Sequence, residues 1–178
     1  MDFAYTIAGF AVGAIVGLTG VGGGSLMTPL LVLMFGIHPS VAVGTDLLYA
    51  AITKAGGTLA HGLKGTVDWK ITRLLATGSL PAAAITLLLI GQFAPGGIEG
   101  AAHLIQVALG VALVLTAVAL IFRKRIQAYA VARSGGRPAD PARTARLTII
   151  TGAVLGVLVS ISSVGAGALG VTALFFLY

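Results

Sequence analysis

The chain has 178 residues, 57% of them hydrophobic and only 9% charged, with a net charge of +6 and no cysteine. A water-facing domain carries about 25% charged residues, so a soluble surface is excluded. The missing cysteine excludes disulfides, thiolate metal sites and covalent relay of sulfur.

Five apolar segments follow one another at approximately 5–36, 41–63, 71–91, 101–122 and 147–178. A helix needs about 20 apolar residues to cross a bilayer, and each segment reaches that length. The pattern predicts an all-α membrane protein, a polytopic helical bundle. The N-terminus, Met1-Asp2-Phe3, has no basic region and reads as mature structure rather than a signal peptide.

The first segment is too long for one straight span. Its middle reads Gly17-Leu18-Thr19-Gly20-Val21-Gly22-Gly23-Gly24-Ser25, with Pro29 beyond. So many glycines predict a broken or re-entrant helix that restarts near the proline. Non-helical backbone at membrane depth survives only where protein or a wet cavity surrounds it.

The second segment holds three ionisable residues, Asp46, Lys54 and His61. Ionisable groups within a span are functional candidates by default. Asp46 near the outer end is balanced between a place on a pathway and a place at the interface. Lys54 sits deeper and is the better pathway candidate, and an ion pair between the two is a stretch. Trp69 reads as an interface anchor, and Pro81 as a kink in the third segment.

Seven of the eleven Lys and Arg residues lie between Arg123 and Arg146, with no alternating aromatics. This is a topology signal rather than a nucleic-acid surface, with anionic lipid a secondary partner. It places 123–146 in the cytoplasm as a basic loop, broken by Ser134-Gly135-Gly136-Arg137-Pro138 and Asp140-Pro141. Residues 92–100, with Glu99 and no Lys or Arg, suit the outside. Lys64, Lys70 and Arg73 put the 64–70 connection inside. The loop divides the chain into a first transmembrane repeat, 1–122, and the start of a second, 147–178.

A shift of 143 positions superposes the first segment on the last. Gly9 meets Gly152, Gly13 meets Gly156, and Val21, Gly22 and Gly24 meet Val164, Gly165 and Gly167. Thr19-Gly20 becomes Ser162-Ser163. The second copy stops at Tyr178, opposite Phe35, so the second repeat is expected to be incomplete and the chain a truncated product. If 5–36 crosses once, the halves are parallel. If it forms a hairpin, the N-terminus lies outside and the halves are inverted; the excess length favours the hairpin.

Two glycine-interrupted segments at matching places are the best sequence pointer to a transporter site. A broken helix exposes backbone N–H groups at its restart, where the dipole favours an anion. Glycines allow close approach, and Thr19, Ser25, Ser162 and Ser163 could add hydroxyl donors. The competing explanation is helix packing through small residues. A phosphate loop is excluded because no Lys stands beside the glycines. An intramembrane enzyme would need a nucleophile–base pair, for which Ser25 with His61 is the one combination worth naming. A non-transporting scaffold is the third reading. The three histidines lack metal spacing, and no cofactor is expected.

The run Gly17 to Leu26 with Pro29 is followed by Gly36-Ile37-His38-Pro39, Ala42-Val43-Gly44-Thr45 and His61-Gly62. Then come Gly65-Thr66-Val67-Asp68-Trp69 and Gly78-Ser79-Leu80-Pro81. In this order the set resembles the TauE/SafE sulfite exporter family of bacterial membrane permeases. The resemblance implies a carrier of small anions, often sulfur oxoanions or sulfonates, in the bacterial cytoplasmic membrane. It also implies that Gly20, Gly22, Gly23, Gly24, Ser25, Gly44 and Thr45 line the site from one half. Ser162, Ser163, Gly165 and Gly167 would line it from the other. The sequence departs from the family pattern at Asp46, where a small polar residue is usual, at Ala166, and at Thr172 in place of proline. An acid beside an anion site repels substrate unless protonated or paired, so Asp46 is a candidate for coupling to protons.

Overall fold

The computed structural model describes residues 3–20, 22–94, 100–134 and 140–178. Among these no strand occurs, and the elements are helices throughout. They are α1 (Phe3–Thr19), a short 3₁₀ turn (Gly23–Ser25), α2 (Met27–Leu33), α3 (Pro39–Leu63) and α4 (Trp69–Phe93). There follow α5 (Ala102–Ile121), α6 (Arg123–Ser134), α7 (Pro141–Ser162) and α8 (Ala168–Leu177). Val21, Glu99 and the Gly135–Pro138 breakers lie outside the described residues.

Helices α4, α5 and α7 are each long and apolar enough to cross a membrane, and α1 with the Gly23–Leu33 segment, set at 120°, would make a fourth span. Helix α3 has the length, 25 residues, but Asp46, Lys54, His61 and its glycines dilute its apolar character. The chain is therefore a multi-spanning helical bundle.

Local chemistry sets the helix starts. Asp68 caps α4, its Oδ1 accepting the N–H groups of Lys70 and Ile71 at 2.9 and 3.1 Å. Asp140 caps α7 by accepting the Ala142 N–H, with Pro141 at the first position, where a missing N–H costs nothing. The basic stretch expected as a loop is helical over Arg123–Ser134, because Arg, Lys, Gln and Ala are strong helix formers. Helix α4 runs through Pro81 without ending.

The most extensive contact is between α4 and α7. Leu75 lies opposite Gly152 and Ser79 opposite Gly156, so the two helices run parallel. A Cβ on Gly78 would run into the Ile149 carbonyl, and one on Gly152 into the Leu75 carbonyl; on Gly156 it would stand 2.5 Å from the Ser79 carbonyl oxygen. Small residues let the backbones touch, the usual basis of helix association where lipid removes the hydrophobic drive. Gly152→Leu is expected to cost about 1–3 kcal/mol by overpacking and to lower the midpoint of thermal unfolding in detergent. Gly110→Ala, where an added Cβ meets nothing within 4 Å, should leave it unchanged or raise it.

Two small clusters tie the remaining elements. Val43, Ala101 and Ile105 pack with Leu47, Ile90, Ala94 and Ile161, joining the start of α3 and of α5 to the ends of α4 and α7. Leu109, Ala112 and Val164 pack with Leu113 and Leu158. After Ser163 the chain turns back. Tyr178 Oη lies 3.1 Å from Thr148 Oγ1, so α8 returns beside the beginning of α7, and Phe176 meets Tyr129 of α6 edge-on. At the other end of the chain Tyr5 stacks on Phe35 at 4.3 Å, bringing the start of α1 to the end of α2.

Candidate functional site

The two helix breaks meet. Helix α1 ends at Thr19, and Gly20 and Gly22 carry φ of 68° and 99°. Helix α7 ends at Ser162, and Ser163 and Gly165 carry φ of 58° and 114°. Left-handed backbone is open to glycine but costly for serine, so the contacts around Ser163 hold it there. A Cβ on Gly22 would stand 3.7 Å from Cα and N of Gly167. One on Gly24 would run into the Ser163 carbonyl. Glycine is required at Gly24 because the backbone of the other break occupies the space.

Asp46 sits at this junction with no exposed surface. Its Oδ2 accepts hydrogen bonds from Thr28 Oγ1 at 2.9 Å and Ser163 Oγ at 2.6 Å. One donor comes from α2 and the other from the end of α7, so a single carboxyl group on α3 ties both breaks. Its Oδ1 is buried, has no hydrogen-bond partner among the described residues and faces Gly23, whose Cβ would lie 3.5 Å away. A buried carboxyl left half-satisfied is expensive.

Beside the junction a narrow, partly open cleft of about 20 Å³ is lined by Gly22, Gly23, Gly24 and Ser25 from one break and Ser163 to Gly167 from the other. Leu47, Ala50 and Val159 complete its wall, and Lys54 brings a cation. Lys54 makes no ion pair with Asp46 among the described residues. Asp46 itself stands one layer behind the cleft, screened by the glycine backbone.

The remaining sequence candidates lie elsewhere. Thr19 and Gly20 face a second cavity. Gly44 and Thr45 are exposed on α3. Ser162 is buried, donating to the Leu158 carbonyl and accepting the Val164 N–H. Ser25 donates to the Gly22 carbonyl at 2.9 Å while His61 pairs with Thr66, so Ser25 and His61 are not assembled as nucleophile and base. Among the described residues no three His, Asp or Glu side chains gather as a metal site. Sequence reasoning missed Thr28. It is one polar residue in an apolar run, and its value comes entirely from the carboxyl group that folding places against it.

A family model described as "Sulfite exporter TauE/SafE" matches residues 5–178. The chain belongs to the TauE/SafE family. It is 38% identical over 179 residues to the probable membrane transporter protein YjnA of Bacillus subtilis, covering 100% of this chain and 69% of that relative. The probable membrane transporter protein YunE of the same organism is 39% identical over 70 residues, or 39% of this chain and 26% of the relative. A probable membrane transporter protein of Xylella fastidiosa is 36% identical over 90 residues, 48% of this chain and 34% of its own. No solved structure gives a significant match. The chain is thus a TauE/SafE membrane transporter, a multi-pass permease of the bacterial cytoplasmic membrane.

Proposed function

We propose that the chain moves a small anion, a sulfur oxoanion or sulfonate, through the cleft where the two breaks meet. The observation that carries this reading is the convergence of two glycine-rich backbones on one cleft with Lys54 as its cation. Backbone N–H groups and an ammonium group together suit a compact oxyanion without demanding one shape. Asp46 behind the cleft is proposed to couple the movement to protons.

The two breaks are proposed to belong to related repeats, 1–122 and the opening helix pair at 147–178, joined by the basic cytoplasmic segment 123–146. In support, the ends of α1 and α7 and the two pairs of left-handed residues correspond at the same 143-residue shift. The Tyr5–Phe35 stack and the Thr148–Tyr178 bond support hairpins entering from opposite faces, an inverted arrangement with the N-terminus outside. The chain has no native cysteine. A Phe3→Cys variant should therefore react with an impermeant maleimide in intact cells, and Lys64→Cys only after permeabilisation. Reaction of both on the same side would sink the inverted arrangement.

The functional test is flux of radiolabelled sulfite, thiosulfate and a taurine-type sulfonate in proteoliposomes, with acetate as comparator. Saturable movement of a sulfur anion, lost in Lys54→Gln, is expected. No movement of any of them by correctly inserted protein would remove the sulfur-anion assignment.

A further inference from the structure

Resting on that reading, we propose that a second cavity is an oxyanion station at the cytoplasmic mouth of the pathway, with Arg123 as its ligand. This cavity of about 220 Å³ lies between the end of α1, the end of α5 and the start of α8. Its wall includes Thr19, Gly20, Arg123, Gly167 and Thr172.

Gly167 lines both this cavity and the Lys54 cleft. The two spaces are therefore neighbours across a single glycine, and an anion at one is a short step from the other. Arg123 stands where α5 leaves the membrane and the basic helix α6 begins. By the charge asymmetry of the loops this is the cytoplasmic side.

Arg125, two residues on, rests its guanidinium over the Phe122 ring at 6.0 Å. Arg123 has no such engagement and no ion pair among the described residues, and it lines the cavity. The two hydroxyls in the wall are already committed as donors, Thr19 Oγ1 to the Ile15 carbonyl at 2.8 Å and Thr172 Oγ1 to the Ala168 carbonyl at 2.7 Å. Arg123 is thus the side chain left to recognise an anion there. Its planar guanidinium suits an oxyanion in two-point contact better than an ammonium group does. The station also accounts for Thr19 and Gly20, which the glycine motif singled out and the central cleft leaves unused.

The oxyanion could be a free solute or a lipid headgroup, and binding distinguishes them. Equilibrium dialysis of ³⁵S-sulfite against the whole protein in nanodiscs of zwitterionic lipid should show two saturable components. Arg123→Gln should weaken one of them by about tenfold or more, the loss expected for a charged hydrogen bond, and leave the other. Arg123→Lys should lose less, and Lys54→Gln should remove only the other component. If nanodiscs containing phosphatidylglycerol abolish the Arg123 component, the station is held by headgroups; if they leave it, by solute. Unchanged binding in Arg123→Gln in both lipids would overturn the station while leaving the carrier standing. A surviving Arg123 component with no Lys54-dependent binding or flux would uphold the station and count against the carrier.

Discussion

Asp46→Asn is expected to leave the protein inserted and folded but to cut pH-gradient-driven flux by about tenfold or more, about 1.4 kcal/mol on the barrier. The amide keeps an oxygen to accept from Thr28 or Ser163, which now meet the same carboxyl oxygen. It cannot bind and release a proton. Asp46→Ala is harsher, because both buried hydroxyls lose their acceptor. Each such loss costs about 1–3 kcal/mol, reduced where a hydroxyl can turn to its own helix carbonyl. The order of effects separates coupling from structure. If Asp46→Asn transports normally and follows the pH gradient as the parent does, the carboxyl group serves only to hold the breaks together. Flux in proteoliposomes at stepped internal pH, with thermal unfolding as control, makes the distinction.

Gly24→Ala should abolish flux and destabilise the bundle by about 1–3 kcal/mol, the usual cost of overpacking. The new methyl group would run into the Ser163 carbonyl and approach Asp46 Oδ2 to 3.0 Å. Neither neighbour can yield, since one is backbone and the other is held by two hydrogen bonds. Gly23→Ala, one residue away, meets only Asp46 Oδ1 at an ordinary 3.5 Å, and Gly17→Ala meets nothing within 4 Å. Both should insert normally, and Gly17→Ala should transport at the parent rate. Equal tolerance of all three would mean that the breaks do not meet as described. Flux and unfolding measured side by side give the answer.

The segments and the first break were legible because glycine and hydrophobic length carry their own signal. Gly20, Gly22 and Ser163 take left-handed backbone where the motif runs, and the extra length of 5–36 resolves into two helices and a turn. Which face of each helix is buried was not legible. In a bilayer both faces are apolar, so periodicity gives no direction. Gly44 and Thr45 stand exposed beside buried Asp46 for this reason. Likewise Gly78, Gly152 and Gly156 carry the α4–α7 contact, a partnership that only three dimensions reveal. Lys54 and Asp46 were found by the rarity of charge in a span, and Thr28, being neutral, escaped that filter.

The most direct test of the pathway uses single cysteines in a chain that has none. Ser25→Cys and Ala166→Cys place one thiol on each break within the cleft. Thr58→Cys, exposed on α3 outside it, serves as reference. Reaction with N-ethylmaleimide would be timed with and without methanesulfonate, an unreactive sulfonate. The expected result is slower reaction at both cleft positions in its presence and no change at position 58. Equal rates with and without methanesulfonate at all three positions would contradict a sulfonate site between the breaks.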